Sequence, residues 1–253
     1  MLDPFLMLDE FSSNDPNYYF AGFPAHPHRG FETVTFAFNG KVEHGDNHGN
    51  HGVIESGDIQ WMTAGSGILH KEFHEKEWAK TDRIFHMIQL WVNLPKKDKM
   101  TQPKYQALSK DQITHFVDEK SGAKIILYAG ELLNHKGSAN TFSPMNIYKV
   151  NLDKHSQLEL TEANGFNTGF LVIEGEVKIN DEQSAKKGDF VLLKNDDLSF
   201  LLEAQETSEI FVLSGQSLNE PIVASGPFVM SSEEEIQQAY IDYQSGLFGS
   251  FDF

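Results

Sequence analysis

The sequence predicts an all-β protein: two antiparallel β-barrels in tandem, with an amphipathic helix at the C-terminal end. Three observations carry this. Short runs rich in Val, Ile, Thr and aromatic residues recur along the chain, punctuated by Gly, Asn, Asp and Pro. A strand, Gly turn, strand, Gly-Asp turn pattern occurs twice. Helical spacing appears in one segment near the C-terminus. With 253 residues, 40% of them hydrophobic and 12% aromatic, the chain can form two medium β domains with real cores.

The strand runs are 33–38 (TVTFAF), 84–92 (IFHMIQLWV), 124–128 (KIILY), 145–152, 169–173 and 190–193. Their even spacing and abundant Gly turns fit barrels better than βαβ units. Gly40-Lys41-Val42 follows one run, and Gly175-Glu176-Val177 follows another 135 positions later. Gly57-Asp58 and Gly188-Asp189 then open a further strand in each copy. The join is expected in the loop between Asn134 and Ser143, giving a first barrel over 1–134 and a second over 143–253. In the segment 231–246 (SSEEEIQQAYIDYQSG), Ile236, Ala239, Tyr240 and Tyr243 share one helical face. Ser231 with Glu234, or Ser232 with Glu235, can form a capping box, and Gly246 supplies a stop. The expected helix covers 232–244 and packs outside the β core. The apolar tail LFGSFDF is expected to dock on the body.

Charge and composition narrow the function. Lys and Arg number 20 against 37 Asp and Glu, a formal net charge of −17. An acidic surface repels phosphate backbones and anionic lipid, so neither nucleic-acid binding nor membrane association is expected. The absence of cysteine excludes disulfides, thiolate metal sites and Cys nucleophiles. No apolar run reaches the roughly 18 residues of a membrane span. No basic residue precedes Arg29, so no secretory leader is expected and the cytoplasm is the expected location.

Histidine is distributed unevenly. Of 11 copies, His26, His28, His44, His48, His51, His70, His74 and His86 all precede residue 90. In the stretch PAHPHRGFETVTFAF, residues two apart on a strand face the same way. His26 and His28 therefore project together, and Glu32, Val34, Phe36 and Phe38 share their parity. Two imidazoles and a carboxylate on an otherwise apolar face fit a metal site inside a barrel. A His pair at a sheet edge, with Glu32 paired to Arg29, fits the same residues. In GDIQWMTAGSGILHKEF, Gly65 and Gly67 sharpen a turn before His70, and Glu72 lies two positions on. Beside the first segment, this hairpin brings three imidazoles and a carboxylate together, a set that suits a non-haem iron(II) centre with open positions. Alternatively His70 caps a loop while Glu72 faces solvent among Lys71, Glu75 and Lys76. The run HGDNHGNHG reads as an exposed turn carrying His44, His48 and His51. His74 reads as solvated, His86 as a hydrogen-bonded core residue, and Trp61 and Trp91 as barrel core.

The stretches HPHRGFETVT, GDIQWMTAGSGILHKE, QLWVNLP (89–95) and GPFVM, with the helix after it, closely resemble the pirin family of the cupin superfamily along nearly the whole chain. The resemblance implies two cupin barrels with metal only in the N-terminal one. It implies one iron(II) per chain on His26, His28, His70 and Glu72. Other cupins use the carboxylate of the first motif, here Glu32, which is kept as a nearby second candidate. It further implies quercetin 2,3-dioxygenase activity, opening a flavonol heterocycle with release of carbon monoxide, and Glu72 accepting the proton of the 3-hydroxyl. The family offers a second role: a non-enzymatic, iron-dependent regulator that binds a transcription factor or metabolic enzyme. Family members carry a few tens of residues ahead of the DPFL motif, which here begins at Asp3, so strands that close the first barrel are expected to be lacking. The 135-residue offset maps His26, His28 and Glu32 onto Thr161, Ala163 and Asn167, so the second barrel is expected to be metal-free and structural.

Overall fold

The computed structural model describes residues 2–15, 22–75, 78, 80, 84–194 and 198–250. They form two compact units, one of Phe5–Lys110 with Asn219–Phe253, the other of Asp111–Leu218 with Met1–Pro4.

The first unit contains β1 (Phe5–Ser13), β2 (Phe23–His28), β3 (Phe31–Asn39), β4 (Val42–Asp46), β5 (His51–Ile54), β6 (Ile59–Thr63), β7 (Ile68–His74), β8 (Phe85–Asn93) and β9 (Lys104–Leu108). They pair antiparallel into two sheets ordered β1-β8-β3-β6-β9 and β2-β7-β4-β5. β3 is central and its Phe, Val and Thr run is buried on both faces. The chain leaves β2 and enters β3 through Gly30, at φ +87°. A Cβ there would sit 2.0 Å from the Val229 carbonyl oxygen, so this turn demands glycine.

The second unit contains β10 (Thr114–Val117), β11 (Lys124–Ala129), β12 (Glu131–Leu132), β13 (His135–Lys136), β14 (Met145–Leu152), β15 (Gln157–Thr161), β16 (Phe166–Glu174), β17 (Glu176–Ile179), β18 (Gln183–Lys186), β19 (Phe190–Leu192), β20 (Ser199–Ala204) and β21 (Ser208–Gln216). Its main sheets are β10-β11-β14-β21-β16-β19 and β15-β20-β17-β18. Between them Leu160, Phe170, Phe200, Leu202 and Val212 join one apolar core. The predicted pair of antiparallel barrels is therefore the observed architecture.

The expected join is displaced. Residues 134–143 hold β13 and belong inside the second unit, where Gly137 N–H donates to Gly130 O (2.8 Å) and Ala139 N–H to Tyr128 O (2.9 Å). A polar run that reads as a linker is thus a hairpin arm with its backbone satisfied locally. The C-terminal segment also departs from the expected ranges 1–134 and 143–253. β22 (Val223–Ser225), β23 (Phe228–Met230) and the helix α1 (Glu233–Gln244) belong to the first unit. Ile236 and Ala239 of α1 pack with Phe228, Met230, Phe248 and Leu69 of β7. The cap forms as expected. Ser232 Oγ accepts from Glu235 N–H (3.2 Å) and Glu235 Oε2 accepts from Ser231 N–H (2.8 Å). Of the tail, Phe248 is buried and Leu247 exposed, while 251–253 lie outside the described residues.

Candidate metal centre

β2 and β7 are antiparallel neighbours that place His26 opposite His70 and His28 opposite Ile68. The imidazole nitrogens of His26, His28 and His70 all lie within 4.8 Å of one another. His26 Nε2 faces His70 Nε2 at 2.9 Å. The far nitrogens of two rings are held by backbone. His26 Nδ1 is 2.8 Å from Pro24 O, and His28 Nδ1 is 3.3 Å from Pro227 O. A carbonyl can only accept, so each Nδ1 carries the hydrogen and leaves Nε2 as a lone pair directed into the cluster.

Burial keeps His28 and His70 neutral. Desolvation, then the neighbouring His26, lowers the His28 pKa to about 3. Desolvation also holds His70 well below its usual value, helped by His28 and His26. Neutral nitrogens converging on one point, anchored from behind, are what a divalent metal requires.

Glu72 shares the β7 face of His70 but is not part of that nitrogen cluster. Its Oε1 accepts from Thr35 Oγ1 (3.2 Å) and its Oε2 from Gln89 Nε2 (2.9 Å). Thr35 and Gln89 stand opposite each other on β3 and β8, so this contact joins the two sheets across the barrel interior. Burial raises the Glu72 pKa despite those two donors. The barrel thus brings three of the four expected residues, His26, His28 and His70, together, while Glu72 lies on the β7 face of His70 outside that cluster.

Glu32 is elsewhere. On β3 it faces away from Thr33 and Thr35, and its Oε1 accepts from Thr63 (2.7 Å). Burial pushes its pKa up to about 7. The two-residue parity that linked Glu32, Val34, Phe36 and Phe38 to the histidines does not survive the turn at Gly30, because β2 and β3 belong to different sheets. The interior wall facing Glu72 is therefore built from Thr35, Gln89 and their same-face neighbours Thr33 and Trp91, not from Val34 and Phe36.

Two other histidines, His44 and His74, differ from expectation. His44 is buried on β4, opposite Glu72 and stacked on Tyr105 at 5.7 Å, with desolvation first and His51 second lowering its pKa to about 4. Of the histidines in that run only His48 and His51 are exposed. His74 packs edge-on against Phe85 at 4.1 Å, and desolvation lowers its pKa to about 4. His86 bonds Glu10 at 2.9 Å, as a hydrogen-bonded residue should. Trp61 is fully buried, whereas half-buried Trp91 lies edge-on to His28 at 5.4 Å.

Sequence reasoning missed the supports. Thr35 and Gln89 interrupt apolar strand runs, and that interruption is the signal that marks them. Arg29 donates to Asp242 of α1 (2.7 Å) and to Ser66 O (2.7 Å). Buried Lys99 donates to Gly30 O, Asn93 Oδ1 and Val229 O at 2.7–3.1 Å. Together they tie the His28 strand to the C-terminal segment.

Fold and site define a two-barrel cupin whose first barrel can hold a metal ion. A family model described as Pirin matches residues 1–92, and one described as the Pirin C-terminal cupin domain matches 147–249. The chain belongs to the pirin family. It is 42% identical over 249 residues to the "Putative quercetin 2,3-dioxygenase" of Pseudomonas aeruginosa, covering 98% of this chain and 87% of that protein. It is 39% identical over 251 residues to the pirin-like protein of Solanum lycopersicum, covering 98% and 82%. A crystal structure of quercetin 2,3-dioxygenase from Acinetobacter baumannii superposes with a TM-score of 0.94 at 44% identity, covering 98% of this chain and 87% of that one. Among the described residues, no helix is long and apolar enough to cross a membrane.

Proposed function

We propose that this chain is a cytoplasmic, iron-dependent dioxygenase that opens the central heterocycle of a flavonol such as quercetin, with one iron(II) per chain in the first barrel. The observation that carries the reading is the convergence of His26, His28 and His70 beside a buried Glu72 whose pKa is raised. Relatives at 42% and 44% identity that carry the quercetin 2,3-dioxygenase name support the substrate class. Iron(II) held by the three imidazoles and Glu72 supplies the one-electron chemistry that dioxygen requires. The protein's own contribution is acid–base and positional. Thr35 and Gln89 fix the Glu72 carboxylate beside the imidazoles, and once it has left the metal it is placed to take the proton of the flavonol 3-hydroxyl. The carbonyls of Pro24 and Pro227 hold two imidazoles in the ligating tautomer.

The test is the decay of quercetin absorbance in air, with iron measured on the same sample. Glu72→Gln keeps an oxygen donor and the shape but cannot accept the proton, so it should retain substantial iron and lose most quercetin consumption. Turnover like wild type would place the base elsewhere. Fully iron-loaded wild type that leaves quercetin untouched would overturn the reading. The non-enzymatic regulator would then take its place, with the net charge of −17 favouring a basic protein partner.

A further inference from the structure

We infer that the second barrel carries its own small-molecule site: a cavity of about 550 Å³ with Glu162 at its buried end, suited to a neutral, multiply hydroxylated ring compound. The site stands at the place in the barrel frame that the histidines occupy in the first. Val42 and Val177 each follow the repeated Gly turn, and they pair with His74 and Ala204 respectively. Counting back along β7 and β20 sets Glu72 against Leu202 and His70 against Phe200. His26 pairs with His70, and Leu160 pairs with Phe200. Two residues further, His28 stands opposite Ile68, while Glu162 N–H donates to Leu198 O (2.8 Å). Glu162 thus occupies the His28 position. The turn before Gly165 is one residue longer than that before Gly30, so the simple sequence offset points to Ala163 instead.

Glu162 is 6% exposed and lines the cavity. Tyr148 Oη donates to its Oε1 (2.7 Å) and Asn146 Nδ2 to its Oε2 (2.6 Å), with the Ser214 hydroxyl adding a further favourable contact. A carboxylate has about four acceptor positions, so one remains for a ligand hydroxyl. Phe166, Phe200 and Leu192 give the cavity apolar walls, and Leu192 is 61% exposed at its edge. Asn164 and Gln183 add amides that both donate and accept. Among the described lining residues Glu162 and Glu182 outnumber the one cation, Lys194, which disfavours an anionic ligand. Apolar walls for a ring, with amides and a fixed carboxylate for its hydroxyls, fit a sugar-like polyol or a dihydric phenol. The volume lies in the range of ordinary ligand sites, roughly 300–1,000 Å³.

Saturation-transfer NMR on the full chain, with D-glucose, myo-inositol and catechol at millimolar concentration, tests this and separates the saturated polyols from the phenol. At least one probe should receive magnetisation. Gln183→Trp alters an exposed residue and fills the mouth, so at unchanged melting temperature it should weaken that probe at least tenfold. Glu162→Gln should weaken it similarly, while His70→Ala should leave it unchanged. Silence from all three probes, transfer that survives Gln183→Trp, or transfer lost in His70→Ala would overturn the site.

Discussion

The two barrels share one strand frame and fill it with opposite chemistry. In the first, Thr35 and Gln89 face each other across β3 and β8 and hold Glu72, next to His70 and His26. At the matching register positions of the second stand Phe170, Val212, Leu202, Phe200 and Leu160, all within its apolar core. The backbone does not discriminate between the two. A barrel of this size can close around hydrophobic contact, or around polar groups that satisfy each other and a cation, and side chains at five or six register positions decide which. The second barrel keeps buried polar groups in Glu162, Asn146, Thr168 and Ser214, and beside Glu162 and Thr168 it holds a cavity rather than packed core.

Paired substitutions at one register position probe the contrast most strongly. His70→Ala should weaken divalent-metal binding by at least about a hundredfold, read by metal titration, because one of a few ligands is removed. Phe200→Ala, its counterpart, should leave metal binding intact and cost about 3–5 kcal/mol of stability in denaturant unfolding. Metal loss in Phe200→Ala at a temperature where it remains folded would break the comparison.

His44 in the first barrel and Glu162 in the second should also respond oppositely to pH. Burial depresses His44 to about 4, below its unfolded value of 6.5, so the unfolded chain binds more protons between those limits. Its contribution is full above pH 6.5 and is lost as pH falls toward 4, at up to about 1.4 kcal/mol per pH unit. His44→Gln should flatten that acid limb. Glu162 is raised above its usual 4.5, so here the native state holds the extra proton and stability falls as pH climbs through the raised value. Glu162→Gln should therefore gain on wild type with rising pH. A gain confined to acid would contradict the sign.

Smaller effects sharpen the role of the C-terminal segment. Asp242→Asn removes the charged partner of buried Arg29 and should cost about 1.5 kcal/mol. It should also weaken the metal site, since Arg29 directly follows His28. Ser232→Ala deletes the helix cap and should cost about 1 kcal/mol without touching metal affinity.

Much of this was legible in the sequence. Alternating β-branched and aromatic runs gave strands near their observed positions, and helical spacing with a capping pair located α1 within a residue. The i, i+2 spacing within HPH and within HKE survived because each lies inside one strand. Parity failed where it was carried across Gly30, since the chain changes sheets there and Glu32 turns to the other face. The partner of α1 was invisible for a related reason. An amphipathic face declares that it must be covered, not by what, and here it is covered by Phe228, Phe248 and Leu69 of β7. His44 was misplaced because the Gly- and Asn-rich run after it disguises the end of β4.

One metal centre per chain is expected, in the first barrel alone. Anaerobic iron(II) titration with metal analysis of the isolated protein tests it most directly. Wild type and Glu162→Gln should each bind one ion per chain, and His70→Ala close to none. Two ions per chain in wild type, or one ion retained at wild-type affinity by His70→Ala, would contradict it.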